Sequence, residues 1–154
     1  MTTRTKIEIG RQGNFFFACL LIYFVFFGYI CNIYERNVGE RLLFLYQVFF
    51  DLSSILSLVI LFAIIFFMTF REKFYEYGLR NSIWMIPLVI IMSWFWYWVI
   101  YGFNIIVIGI YFTRIEGYIT ILTVAGVIIL SAILGAYTKT RWENYRQKIK
   151  KVID

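Results

Sequence analysis

The sequence predicts an all-α integral membrane protein: a four-helix transmembrane bundle, both termini cytoplasmic, with a short basic amphipathic C-terminal helix. Three observations carry this expectation. Four apolar runs are each long enough to cross a bilayer, which takes about 20 helical residues. The chain is 62% hydrophobic with a mean hydropathy of +0.76, whereas soluble domains are about 45–50% apolar. Its charged residues lie almost wholly between the runs.

The runs span about residues 14–33, 42–70, 83–112 and 117–137. Together they form one transmembrane domain, residues 1–138, followed by a basic tail, residues 139–154. The connections 34–41, 71–82 and 113–116 are short, so consecutive helices are expected to be antiparallel neighbours. The runs lack the alternation of a barrel strand and the polar stripes of a soluble bundle. The first run is longer than a signal-peptide core and offers no small-residue cleavage site, so it is expected to remain as a helix.

Lys and Arg set the expected orientation. The N-terminal tail carries Arg4, Lys6 and Arg11, and the middle connection Arg71, Lys73 and Arg80. The C-terminal tail carries Lys139, Arg141, Arg146, Lys148, Lys150 and Lys151. The opposite side holds only Arg36, Arg41 and Arg114, a strong positive-inside bias. The expected location is a bacterial inner membrane.

The second and third runs are over-long. At 29 and 30 residues they would reach about 43–45 Å across a hydrocarbon core of about 30 Å. Tilt or projecting ends are expected. Pro87 is expected to start or kink the third helix.

Asp51 is the lone acid inside a run, and a mid-bilayer carboxylate needs a partner or a purpose. Gln47, Ser54 and Ser57 share its helix face. Counting depth from the helix ends puts Asn104, with Tyr101 one turn away, level with Asp51. The expected intramembrane polar cluster is therefore Gln47, Asp51, Ser54, Tyr101 and Asn104. Three roles compete for Asp51: a packing device, an ion or proton site, or a solvated group at the outer headgroups.

Trp94, Trp96 and Trp98 fall midway along the third run, where indoles pack against other helices and seek acceptors. In the fourth run Ser131 and Gly135, and Ala132 and Ala136, form two small-xxx-small pairs, with Gly126 above them. These positions are candidates for helix packing or oligomerisation. In the tail, Trp142, Tyr145, Ile149 and Val152 recur at helical spacing, beside Arg141, Arg146, Lys148, Lys150 and Lys151. This surface is expected to touch anionic lipid at the cytoplasmic face or to dock a cytosolic protein.

Enzyme chemistry is not expected. Histidine is absent, no acid pair lies within a run, and no phosphate loop or zinc-ligand spacing occurs. Cys19 and Cys31 lie about 18 Å apart along one helix and cannot bridge. No catalytic residue, metal, cofactor or nucleic-acid partner is expected. The expectation that follows is a non-enzymatic, homo-oligomeric membrane subunit. It would anchor or signal to a cytosolic partner and sense membrane disturbance, as in a bacterial phage-defence or envelope-stress complex. The alternative is a small oligomeric channel, pore or transporter with a polar path around Asp51.

Overall fold

Continuous apolar sequence, unrelieved by alternation, folds here as helix, and there is no strand among the described residues. The structure, a computed structural model, describes residues 3–72 and 74–153; the side chains of residues 3–9, 11, 36, 75 and 150–153 lie outside that description.

The first crossing is α1 (Thr3–Leu21), a π turn (Ile22–Phe26) and α2 (Phe27–Tyr34) in series. Two short helices, α3 (Gly39–Leu43) and α4 (Leu45–Phe50), and a 3-10 turn (Leu52–Ser54) lead into α5 (Ile55–Arg71). The long α6 (Tyr75–Tyr101) and the short α7 (Ile106–Thr113) precede α8 (Ile115–Ile153). Four stretches are long and apolar enough to cross a membrane: Gln12–Tyr34, Leu52–Arg71, Glu76–Tyr101 and Ile115–Ile149. The protein is thus a multi-pass helical membrane protein by length and composition.

Three elements differ from the sequence expectation. The second run is not one helix over 42–70: it breaks at Phe44 (φ −109°, ψ 74°) and again at Asp51 (ψ 123°). The third run begins earlier, at Tyr75, so Pro87 lies inside α6 rather than at its start. It also ends earlier, at Gly102 (φ 91°), whose left-handed backbone stops α6 before α7 begins. Both over-long runs therefore shed their excess by breaking, and not by tilt alone. The basic tail is not a separate helix: α8 continues for 39 residues without interruption. No Pro or Gly follows Gly135 to stop it.

The core draws on every crossing. Ile22, Phe26 and Ile30 meet Leu61 and Ile65 of α5, Met85 and Val89 of α6, and Val124, Ile128 and Ala132 of α8. Val38, Leu42, Leu45 and Val48 belong to the same cluster, so α3 and α4 insert into the bundle. A second cluster of Leu43, Phe44, Ile90, Val107 and Tyr111 clasps α7, with Phe44 stacked on Tyr111 at 5.9 Å.

The Trp residues on α6 pack as their position predicts. Trp96 lies against Tyr23 and Phe27, and Trp94 lies edge-on to Tyr111 and Phe112. Their indole N–H groups do not all find acceptors among the described residues: Trp98 donates to the Asn104 carbonyl at 2.9 Å, while those of Trp94 and Trp96 are buried without a partner there.

Parallel α5 and α8 share a register. The Ser131 hydroxyl donates to the Phe62 carbonyl, and Gly135 lies against the Phe66 carbonyl one turn further on. At the α5–α6 turn, Gly78 admits Thr69, where a Cβ would sit 2.7 Å from the Thr69 methyl. The Thr69 and Ser82 hydroxyls bond there at 3.2 Å, and Ser82 donates to the Gly78 carbonyl.

Candidate functional site

The densest polar constellation lies where the chain crosses from the first span to the second. Asp51 precedes the span Leu52–Arg71 and caps the 3-10 turn, its Oδ1 accepting from the Ser53 amide at 3.1 Å. A short carboxylate that bonds its own backbone competes with helix, which explains the break. Oδ2 accepts from Arg41 at 2.6 Å and from the Tyr34 hydroxyl at 2.8 Å. The Arg41 guanidinium also lies 4.3 Å above the Tyr34 ring.

Tyr34 stands 2.7 Å from the Ser54 hydroxyl as well. It has one proton for two acceptors, because Ser54 spends its own on the Val48 carbonyl. The ionised carboxylate is the stronger acceptor and takes it. The Tyr34 hydroxyl, then the Ser53 amide and hydroxyl, hold the Asp51 carboxyl below the usual carboxylate range, and Arg41 adds to them. Asp51 is therefore an ionised, half-exposed anchor of the segment between the first two spans.

The other residues of the expected polar cluster bond elsewhere. Ser54 is buried beside Asp51. Gln47, on α4, donates to the Tyr46 hydroxyl at 3.4 Å. Tyr101 ends α6 and packs on Tyr97 and Gly39. Asn104 lies just before α7, its Oδ1 accepting from the Ile106 amide at 3.0 Å. Tyr34 and Arg41, the partners Asp51 does use, lie in a connection that hydropathy treats as separate from the run. The one signal for them is that Arg41 is the nearest cation along the chain. A second ion pair, Arg114 to Glu40 at 3.3 Å, ties α3 to the start of α8.

The small residues of α8 divide into two groups. Ser131, Ala132, Gly135 and Ala136 are buried within the chain, the first and third against α5. Gly126 is exposed, with nothing within 4 Å of an added Cβ, and lines a groove of about 370 Å³ with Phe50, Phe62 and Leu122. The tail leaves the bundle below Lys139, which is nearly buried and 3.8 Å from Glu143. Arg141, Trp142, Tyr145, Arg146, Lys148 and Ile149 are all exposed, with the Trp142 and Tyr145 rings 6.5 Å apart. The side chains of Lys150 and Lys151 lie outside the described residues. Among the described residues no three His, Cys, Asp or Glu side chains could hold a metal ion.

Comparison with protein-family models, curated proteins and solved structures finds no match.

Proposed function

We propose that the chain is a non-enzymatic membrane subunit that presents the basic end of α8 to a cytosolic protein. Both termini lie on the cytoplasmic side of a bacterial inner membrane, and the subunit works as a homo-oligomer. A phage-defence or envelope-stress complex is a setting that suits such a subunit. The observation that carries this reading is the continuity of α8. One helix is locked to α5 at Ser131 and Gly135 and runs on through Ile153, its surface exposed from Thr140 to Ile149. A displacement within the bundle would travel along it as a rigid element, over about 20 Å beyond the last buried residue. The distribution of Lys and Arg supports the orientation: Arg36, Arg41 and Arg114 lie on one side, and the other twelve on the side of both termini.

The channel alternative draws less support. Asp51 is engaged at the end of its span by Tyr34, Ser53 and Arg41, and Gln47 and Asn104 bond away from it. A photoreactive residue in place of Trp142 or Tyr145, in the full chain in cells, tests the proposal. Discrete adducts with one cytosolic protein, absent when the probe replaces Ile133, are expected. Adducts with lipid alone would contradict it. Ion flux through liposomes that Asp51→Asn abolishes would favour the channel.

A further inference from the structure

The exposed end of α8 carries an apolar stripe between two basic edges. Trp142, Tyr145 and Ile149 recur at spacings of three and four, so they share one face of the helix, and Val152 continues the stripe in the sequence. They are 54%, 60% and 42% exposed, and the Trp142 and Tyr145 rings stand 6.5 Å apart. At 3.6 residues per turn Arg141 and Lys148 lie along one edge of the stripe and Arg146 along the other. Among the described residues no acid pairs with these three cations. Glu143 sits on the far side of the helix, 3.8 Å from Lys139.

The helix geometry tells against two occupants of this stripe. Lipid is the first. Lys139 is the last buried residue of α8, and Tyr145 and Ile149 lie about 9 and 15 Å further along an unbroken axis. A headgroup layer is about 5–7 Å deep on each side of the hydrocarbon core, so a straight α8 carries both side chains past lipid that ends at Lys139. A second copy is the other. Copies in one membrane stand parallel, and with Trp142 and Ile149 at a and Tyr145 at d, Arg141 falls at g and Arg146 at e. Parallel pairing would set Arg141 of each copy against Arg146 of the other, a like-charge clash at the positions that choose partners.

We propose that the stripe is covered by an acidic amphipathic helix of a cytosolic protein, its apolar face on Tyr145 and Ile149 and its carboxylates against Arg141, Arg146 and Lys148. The inference rests on the reading that α8 docks a cytosolic protein, and it adds the chemistry of the docked surface. Opposite charges replace the clash, and the bundle already holds α8 helical, which offsets the shortness of a stripe of about two heptads.

Fluorescence anisotropy with the full chain in phosphatidylcholine nanodiscs tests it. One labelled peptide carries Leu at a and d and Glu at e and g; a second carries Lys at e and g. The Glu peptide should bind at least about tenfold more tightly than the Lys peptide, and salt at about 1 M should weaken it about tenfold. Joint reversal of Arg141→Glu, Arg146→Glu and Lys148→Glu should exchange the two preferences. Tyr145→Glu should weaken the Glu peptide without lowering the melting temperature, since Tyr145 is exposed. Equal binding of the two peptides, binding of neither, or preferences that the triple reversal leaves as they were would overturn the proposal. So would strong quenching of a dye at Gln147→Cys by nitroxide-bearing lipid, which would assign the stripe to the membrane, or copies linked through Tyr145→Cys in proteoliposomes, which would assign it to a second copy. Photo-adducts with a cytosolic protein alongside no peptide binding would remove the acidic helix and leave the docking reading; adducts with lipid alone would remove the reading itself.

Discussion

Arg41 Nη1, on α3, stands 2.6 Å from Asp51 Oδ2, at the end of α4, so the pair joins the two short helices between the first and second spans. The pair closes a loop in which Leu42, Leu45 and Val48 are driven into the bundle core. Tyr34, from the end of the first span, completes the clasp by donating to the same oxygen. This end of the bundle is thus fastened by polar contacts around a segment whose apolar side chains face the core.

Asp51→Asn should loosen that clasp. Arg41 and Tyr34 would keep a neutral acceptor in place of a carboxylate. Hydrogen exchange of residues 39–54 should accelerate at neutral pH while the amides of α5 and α8 keep their protection. Equal exchange in the two proteins would show that the ion pair holds nothing.

The same carboxyl predicts an acid dependence. Its folded pKa lies below the unfolded value, so its contribution is complete above about pH 4 and is lost as the pH falls through the folded value. The melting temperature in detergent should therefore drop between about pH 5 and about pH 3 more in the wild type than in Asp51→Asn. Parallel curves would contradict this assignment.

Gly135 and Gly126 should respond in opposite ways to one substitution. A Cβ at Gly135 would stand 2.8 Å from the Phe66 carbonyl oxygen and 3.1 Å from the Thr69 Cβ, so Gly135→Val should cost about 1–3 kcal/mol. Gly126 has open space, so Gly126→Val should change unfolding by about 0.5 kcal/mol or less. Reversible unfolding in mixed detergent measures both. A Gly126 variant as damaged as the Gly135 one would place a second copy against that groove.

Gly102 tests the break between α6 and α7. With φ at 91°, any residue bearing a Cβ is strained there, and Gly102→Val should destabilise by about 1–2 kcal/mol. Were α6 to continue through residue 112, the same change would remove a helix-breaking glycine and be neutral or stabilising.

The orientation has a direct chemical readout. Asn37, Glu76 and Gln147 are exposed, and Cys19 and Cys31 lie within or near the first span and are replaced in the parent. A membrane-impermeant thiol reagent should label Asn37→Cys in intact cells, and Glu76→Cys and Gln147→Cys only after the membrane is opened. The reverse pattern would invert the topology.

The crossings were legible in the sequence because lipid-facing helices must be apolar all round, and hydropathy registers that. The breaks were not, because Phe44 is buried and as apolar as its neighbours, so nothing in a hydropathy profile marks it. Their symptom was visible nonetheless: the two runs that exceed the bilayer are the two that break. Gly102, followed by Phe103 and Asn104, carried a helix-stop signal that the apolar context masked. Asp51 stood out as the lone acid inside an apolar run, yet its partners lay in the preceding connection, and depth counting along an assumed straight helix pointed to Asn104 instead.

The rigidity of α8 is the claim on which the proposed role depends, and electron-spin distances measure it most directly. With Cys19 and Cys31 replaced, labels at Leu130→Cys and Lys148→Cys lie 18 residues apart on one face, both exposed. In the full chain in lipid nanodiscs, one narrow distribution centred near about 27 Å is expected for an unbroken helix. A broad or distinctly shorter distribution would mean that the tail folds away from the axis, and α8 would then carry nothing from the membrane to the cytosol.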